Sequence, residues 1–175
     1  MRRSSGPEKP AAARSRAPAQ GFPKLFVYPF FGVHMLMFGL SGFGMAYGSN
    51  RPDLVFLYLH GGLAICVYLV FYHVIFGRDQ VRWMLINAAL GILGIYAQVG
   101  WILERFGRRI GDYPWQVHVV PFLYYVLYTF LLRQLLIDVT GSRDRPARRA
   151  AVDAVYVALS LLVYGLLLVQ TRGGA

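Results

Sequence analysis

Three stretches of this chain, residues 25–47, 54–76 and 83–103, each run for more than twenty residues without an Asp, Glu, Lys or Arg. A fourth, 116–137, carries a single charge, Arg133. Runs of this kind leave few options. At 1.5 Å per residue, a helix of about 20 apolar residues crosses the ~30 Å of bilayer hydrocarbon. In that medium every backbone N–H and C=O must be paired within the segment or around a closed barrel. Barrel strands alternate polar and apolar residues over about ten positions, and no such alternation occurs. The reading is therefore an all-α integral membrane bundle. A fifth apolar run, 154–169, reaches spanning length by recruiting Ala151 and Val152, which gives 151–169 and the shortest of five transmembrane helices. Composition agrees. The chain is 57% hydrophobic and 15% charged, whereas soluble domains are about half apolar and about a quarter charged.

Residues 1–24 read differently. They are rich in Arg, Ala, Pro and Ser, show no apolar periodicity and are interrupted by Pro7, Pro10 and Pro18. The expectation is a disordered basic tail on the cytoplasmic side, followed by one five-helix transmembrane domain over 25–175. The first apolar run is too long for the h-region of a signal peptide and is expected to be retained.

Net charge is +10, but its distribution points to a bilayer and away from nucleic acid. With the N-terminus inside, thirteen of the 18 Lys and Arg residues fall on the inner side, counting Arg133 as able to snorkel there. Basic residues favour the cytoplasmic side of a membrane. The expected arrangement is N-terminus in and C-terminus out, in a prokaryotic-type inner (plasma) membrane. No soluble portion is large enough to present a basic face to a duplex. Cys66, the single cysteine, excludes an intrachain disulfide framework and a Cys-based zinc site, and is expected to pack as a small buried hydrophobe.

Helix packing is written into several faces. Asn87, Gly91, Gly94 and Gln98 fall on one side of segment three. Small residues there let a neighbouring backbone approach, and the two amides can hydrogen-bond across helices. Tyr58 and Tyr72 share a face of segment two. They are expected to pack between helices with hydroxyls on carbonyls, the alternative being a groove for a lipid or isoprenoid-like chain.

Two places carry chemistry. The loop and flanks over 101–118 hold Glu104, Arg105, Arg108, Arg109 and Asp112. Glu104 and Arg108 have i, i+4 spacing, which predicts an extra helical turn beyond segment three, broken by Gly107, Gly111 and Pro114. The plain reading is an interfacial loop; the functional one is a contact surface in which Arg105, Arg108 and Arg109 hold lipid phosphates or an acidic partner. The second place is the histidines. His60 and His73 lie thirteen residues apart and point about 140° apart on a helix, so they cannot carry two stacked haems. His73 is near the inner surface and His34 near mid-membrane. His60, His118 and Glu104 are the only set expected to meet, as an interhelical tie, a metal or haem site, or a proton relay. Ionisable groups inside membrane helices are costly and often functional. Asp53, Asp79, Asp112, Asp138, Asp144 and Asp153 are placed in loops or at helix ends. No HExxH, GxSxG, P-loop, Cys/His metal run or Asp-rich pair is present.

The function expected first is a non-catalytic membrane component or accessory subunit that packs with other membrane proteins, a second copy or lipid, without a cofactor. A membrane-embedded enzyme or haem/metal protein using His60, His118 and Glu104 comes second. A small transporter comes third, because no internal repeat or paired helix interruption is visible. The topology is directly testable. A reporter fused after Ala175 should report the outer compartment and one inserted between Arg143 and Arg149 the cytoplasm. Both reporters on one side would remove the fifth span.

Overall fold

The computed structural model describes residues 24–81 and 83–173. Residues 1–23, on which the tail reading falls, lie outside them. Six α-helices follow one another: α1 (Lys24–Tyr47), α2 (Leu54–Phe76), the single turn α3 (Arg78–Val81), α4 (Trp83–Arg105), α5 (Trp115–Val139) and α6 (Pro146–Gly173). A 3₁₀ turn, Ile110–Asp112, precedes α5. Five of the helices are long and apolar enough to cross a membrane, and no strand occurs among the described residues. Connections are short, so successive spans run antiparallel. One end of the bundle gathers the starts of α1, α4 and α6 and is called here the Arg143 end. The opposite end is the Arg108 end.

The helix termini follow from local chemistry. Asp53 caps α2 by accepting from the backbone N–H of Phe56 at 3.0 Å, satisfying one of the orphan donors of a helix start. Of the three helices that stop at glycines with positive φ, α2 does so at Gly77 (84°), and the other two end alike, at Gly107 (69°) and Gly141 (60°). At each, the next N–H reaches back across the turn, Arg108 to the Leu103 carbonyl at 2.9 Å and Ser142 to the Ile137 carbonyl at 2.9 Å. This bond pattern satisfies carbonyls that a helix end leaves open. It also corrects one expectation: α4 ends at Arg105, so Glu104 and Arg108 are not stacked on a further turn. The last span begins earlier than its apolar run, at Pro146. Its first turns are Arg- and Ala-rich, which suits a helix whose start stands at a membrane boundary.

α5 is the hub. It packs on α1, α2 and α4, while α6 rests mainly on α4 and meets α5 less. The buried face of α5 includes Val117, Val120, Tyr124, Leu127, Phe130 and Ile137. α2 presents Leu57, Gly61, Ile65, Tyr68 and Tyr72 to the interior. The tyrosines bridge helices through carbonyls, from Tyr58 to Gln116 at 2.8 Å, from Tyr72 to Leu127 at 3.4 Å and from Tyr156 to Thr129 at 3.3 Å. The Tyr58–Tyr72 face of α2 is thereby filled by α5 and forms no groove. Cys66 is exposed, contrary to the buried position expected of it, because it lies on the side of α2 turned away from α5.

Close approach explains particular glycines. A Cβ on Gly94 would lie 2.6 Å from Tyr125 Oη and 2.7 Å from Tyr164 Cζ; one on Gly61 would collide with Val120 Cγ1. Gly91 sits beneath Phe122, Tyr125 and Val126, with a Cβ no closer than 3.2 Å. Around Gly32 and Gly39, nothing lies within 4 Å of such a Cβ. Gly94→Leu and Gly61→Leu should therefore each cost about 1–3 kcal/mol by overpacking. Gly32→Leu and Gly39→Leu should change stability by no more than about 1 kcal/mol, in either direction. Unfolding of the purified variants in detergent measures the contrast, and equal losses at all four positions would contradict the packing described.

Candidate functional site

The strongest concentration of polar groups lies about 9 Å inside the Arg143 end, six residues from the last residue of α5. Arg133, on α5, is fully buried. Its guanidinium makes a two-pronged bond to Asp153 on α6, Nε to Oδ1 at 2.8 Å and Nη2 to Oδ2 at 2.9 Å. Its flat face lies 4.0 Å from the centre of the Trp83 ring at the start of α4, a favourable place for a cation. The third edge, Nη1, reaches Gln80 Oε1 on α3 at 3.5 Å. Arg133 was expected to snorkel to the surface and Asp153 to sit in a loop or at a helix end. Instead they meet inside the bundle, because Asp153 lies two turns into a helix that starts at Pro146.

Around this pair the network spreads. Gln80 Oε1 also accepts from Gln134 Nε2 at 3.2 Å and from Arg149 Nη2 at 3.1 Å. Gln134 Oε1 accepts from Arg143 Nη2 at 3.2 Å. Arg143 bonds Asp138 through Nε, and the Tyr28 hydroxyl donates to the same carboxylate. Partial burial works against the Arg143 charge, but Asp138 and Tyr28 more than offset it and hold its pKa above the ordinary value. Side chains from α1, α3, α4, α5, α6 and the 140–145 loop are thus joined in one system. Its carboxylates, Asp138 and Asp153, each face a guanidinium, so the arrangement ties helices together.

The Arg108 end is closed by a smaller system. The Tyr47 hydroxyl bonds His118 Nδ1 at 2.8 Å. The Tyr47 carbonyl accepts from Arg108 Nη1 and, at 3.1 Å, from the Tyr113 hydroxyl. Arg108 also donates to Tyr113 Oη at 2.9 Å. Of the three arginines read as a contact surface, Arg108 is therefore turned inward. Arg105 lies over the Trp101 ring, 4.9 Å from its centre, and Arg109 is exposed.

The set His60, His118 and Glu104 is not assembled. His118 is engaged with Tyr47, His60 lies against Ser41 of α1 at 3.4 Å, and Glu104 is exposed in the last turn of α4. Among the described residues no group of three His, Cys, Asp or Glu side chains is placed to hold a metal ion. The Asn87–Gln98 face is divided. Gly91 and Gly94 pack under aromatic rings of α5 and α6. Asn87 is buried and its amide has no hydrogen-bond partner among the described residues. Gln98 opens on a groove between α5 and α6.

That groove has a volume of about 900 Å³ and is lined by residues such as Tyr128, Leu132, Val155, Leu159 and Val163, with Thr140 and Arg148 at the Arg143 end. A second pocket, of about 370 Å³, lies between α1 and α2. Comparison with known protein families, curated proteins and solved structures gives no match.

A signal for the buried pair was present in the sequence. Arg133 is the lone charge of its span, and Asp153 adjoins the last apolar run at a distance that pairs them across a short hairpin. Removing one partner leaves a buried charge and should cost about 3–5 kcal/mol. Arg133→Ala and Asp153→Ala should each lose stability on that scale in detergent unfolding. The double variant Arg133→Met with Asp153→Leu should recover most of it. A double variant as unstable as the singles would mean that the pair does not act as a unit.

Proposed function

We propose that the protein is a non-catalytic membrane component that holds an anionic lipid in the groove between α5 and α6, with the Arg143 end facing the cytoplasm. The observation that carries this reading is the groove. It is large, mostly apolar, and runs along α6 from Arg148 to Tyr164. At 1.5 Å per residue that is about 24 Å, longer than one leaflet of a ~30 Å hydrocarbon core. Arg148 stands exposed at one mouth and donates a single bond, from Nη1 to the Thr140 carbonyl at 3.3 Å. A guanidinium has five N–H donors, and its fork suits phosphate. Leu132, Val155 and Leu159 then supply the wall for an acyl chain. The buried charges Arg133 and Asp153 are spent on each other, which supports a holding or packing role over a chemical one. The excess of basic residues at the Arg143 end supports the orientation.

Lipids retained by the protein purified in mild detergent can be identified by mass spectrometry. Wild type should carry an anionic phospholipid. Arg148→Glu should retain several-fold less, and Ala151→Trp, which fills the groove, should retain little. Equal retention in all three would overturn the reading. A stoichiometric second membrane protein in place of lipid would assign the groove to a partner helix.

A further inference from the structure

The pocket between α1 and α2 holds two histidines, His34 and His60, in a wall otherwise made by Phe30, Phe31, Phe38, Tyr68, Phe71 and aliphatic residues of α2. Hydrogen bonding determines which nitrogen of each ring carries the proton. His34 Nδ1 lies 2.7 Å from the Phe30 carbonyl. A carbonyl only accepts, so Nδ1 bears the hydrogen and Nε2 keeps a lone pair. The Ser41 hydroxyl donates to the Phe38 carbonyl at 3.0 Å. Its oxygen is then the acceptor toward His60 Nε2, 3.4 Å away. His60 Nε2 therefore carries the hydrogen and Nδ1 keeps a lone pair. With one ring hydrogen each, the two imidazoles bring an unspent acceptor apiece to one apolar, aromatic pocket.

Spacing selects the occupant. The Ser41 bond places His60 level with Ser41. Seven residues, or about 10 Å along α1, separate Ser41 from His34. Metal–nitrogen bonds are about 2 Å long, which suits two ligands side by side better than two rings set two helical turns apart, and among the described residues no third ligand group joins them. An aromatic ring with hydroxyls at opposite ends matches this arrangement better, with a hydrogen bond of about 2.8 Å at either end. Phe38, 5.6 Å from the His60 ring between centres, and Phe31 provide faces for such a ring. Tyr68, buried and 5.9 Å from Phe31, adds a hydroxyl with no hydrogen-bond partner among the described residues. The rim is exposed at Leu63, Val67 and Phe71, so an apolar tail can leave sideways into the bilayer.

We propose that this pocket binds a membrane-soluble aromatic diol, a hydroquinone-type headgroup on an apolar chain, with His34 and His60 accepting from its two hydroxyls. The site is separate from the α5–α6 groove and does not depend on what fills that groove.

The test uses the full chain in nanodiscs, titrated under anaerobic conditions with naphthohydroquinone and with its dimethyl ether. The ether has the same ring and no donor. The diol should bind at least about tenfold more tightly than the ether, the loss expected when two hydrogen bonds go unmade. His34→Phe and His60→Phe should each erode the preference, and the double variant should abolish it. Ala64→Phe, which narrows the pocket and leaves both histidines in place, should weaken diol binding. Thermal unfolding of each variant identifies any that fails to fold. Equal binding of diol and ether to wild type would overturn the proposal. So would a preference that survives in the folded double variant. Zinc binding that both histidine variants remove, without diol binding, would make this a metal site instead.

Discussion

The Arg133–Asp153 pair sets the geometry on which the rest of the bundle depends. α6 lies mainly along α4 and would be free to slide against α5 but for a few contacts. A two-pronged guanidinium–carboxylate bond fixes distance and angle together. It pins α6 to α5 at one level, and the Trp83 ring closes over the cation from α4. Buried ion pairs often add little net stability over an apolar replacement. What this one supplies is register. The opening between α5 and α6 is as wide as the pair and the Tyr125–Tyr164 contact together allow, and the groove follows from those two fixed points.

On the other side of α5 the packing has a different character. α1 and α2 meet through aromatic edges, Phe31 against both Tyr68 and Tyr72 at 5.9 Å. Rings of this size keep helix axes apart where small residues would draw them together. α4, carrying Gly91 and Gly94, comes close to α5 and α6. The bundle is therefore tight around α4 and looser between α1 and α2, which is where the histidine pocket opens.

The membrane class and the spans were legible because they depend on length and charge, which residues declare one at a time. α2 begins and ends at the residues expected, 54 and 76. The close packing of Gly94 was legible for the same reason: a glycine on a polar–small face has few other uses in lipid. The polar pairings were harder. Asp153 looks like a boundary residue when apolar runs alone define spans, since Ala150 and Ala151 on its N-terminal side add little hydropathy. Arg108 reads as a surface charge until Gly107 turns the chain back and points it at Tyr47. The sequence groups His60 with Glu104 of α4 and His118 of α5. Its neighbour proved to be Ser41 on α1, a residue whose hydroxyl carries no signal in the sequence. Pairings across helices depend on rotation about each helix axis, and apolar periodicity is too weak here to fix that rotation.

The hairpin of α5 and α6 has a consequence for how the chain enters a membrane. Each helix alone would carry an ionised side chain into hydrocarbon, at a cost of about 2.5–3.5 kcal/mol for Arg or Asp at a span centre and less near an end. The 140–145 turn is short, so α6 follows α5 closely out of the ribosome. Arg133 and Asp153, twenty residues apart, can meet before either helix is fully surrounded by lipid. Biogenesis is then cooperative in this half of the molecule. The last two spans should partition as one neutralised unit, and a nascent chain cut short before Asp153 would present the insertion machinery with α5 lacking the carboxylate that pairs with Arg133.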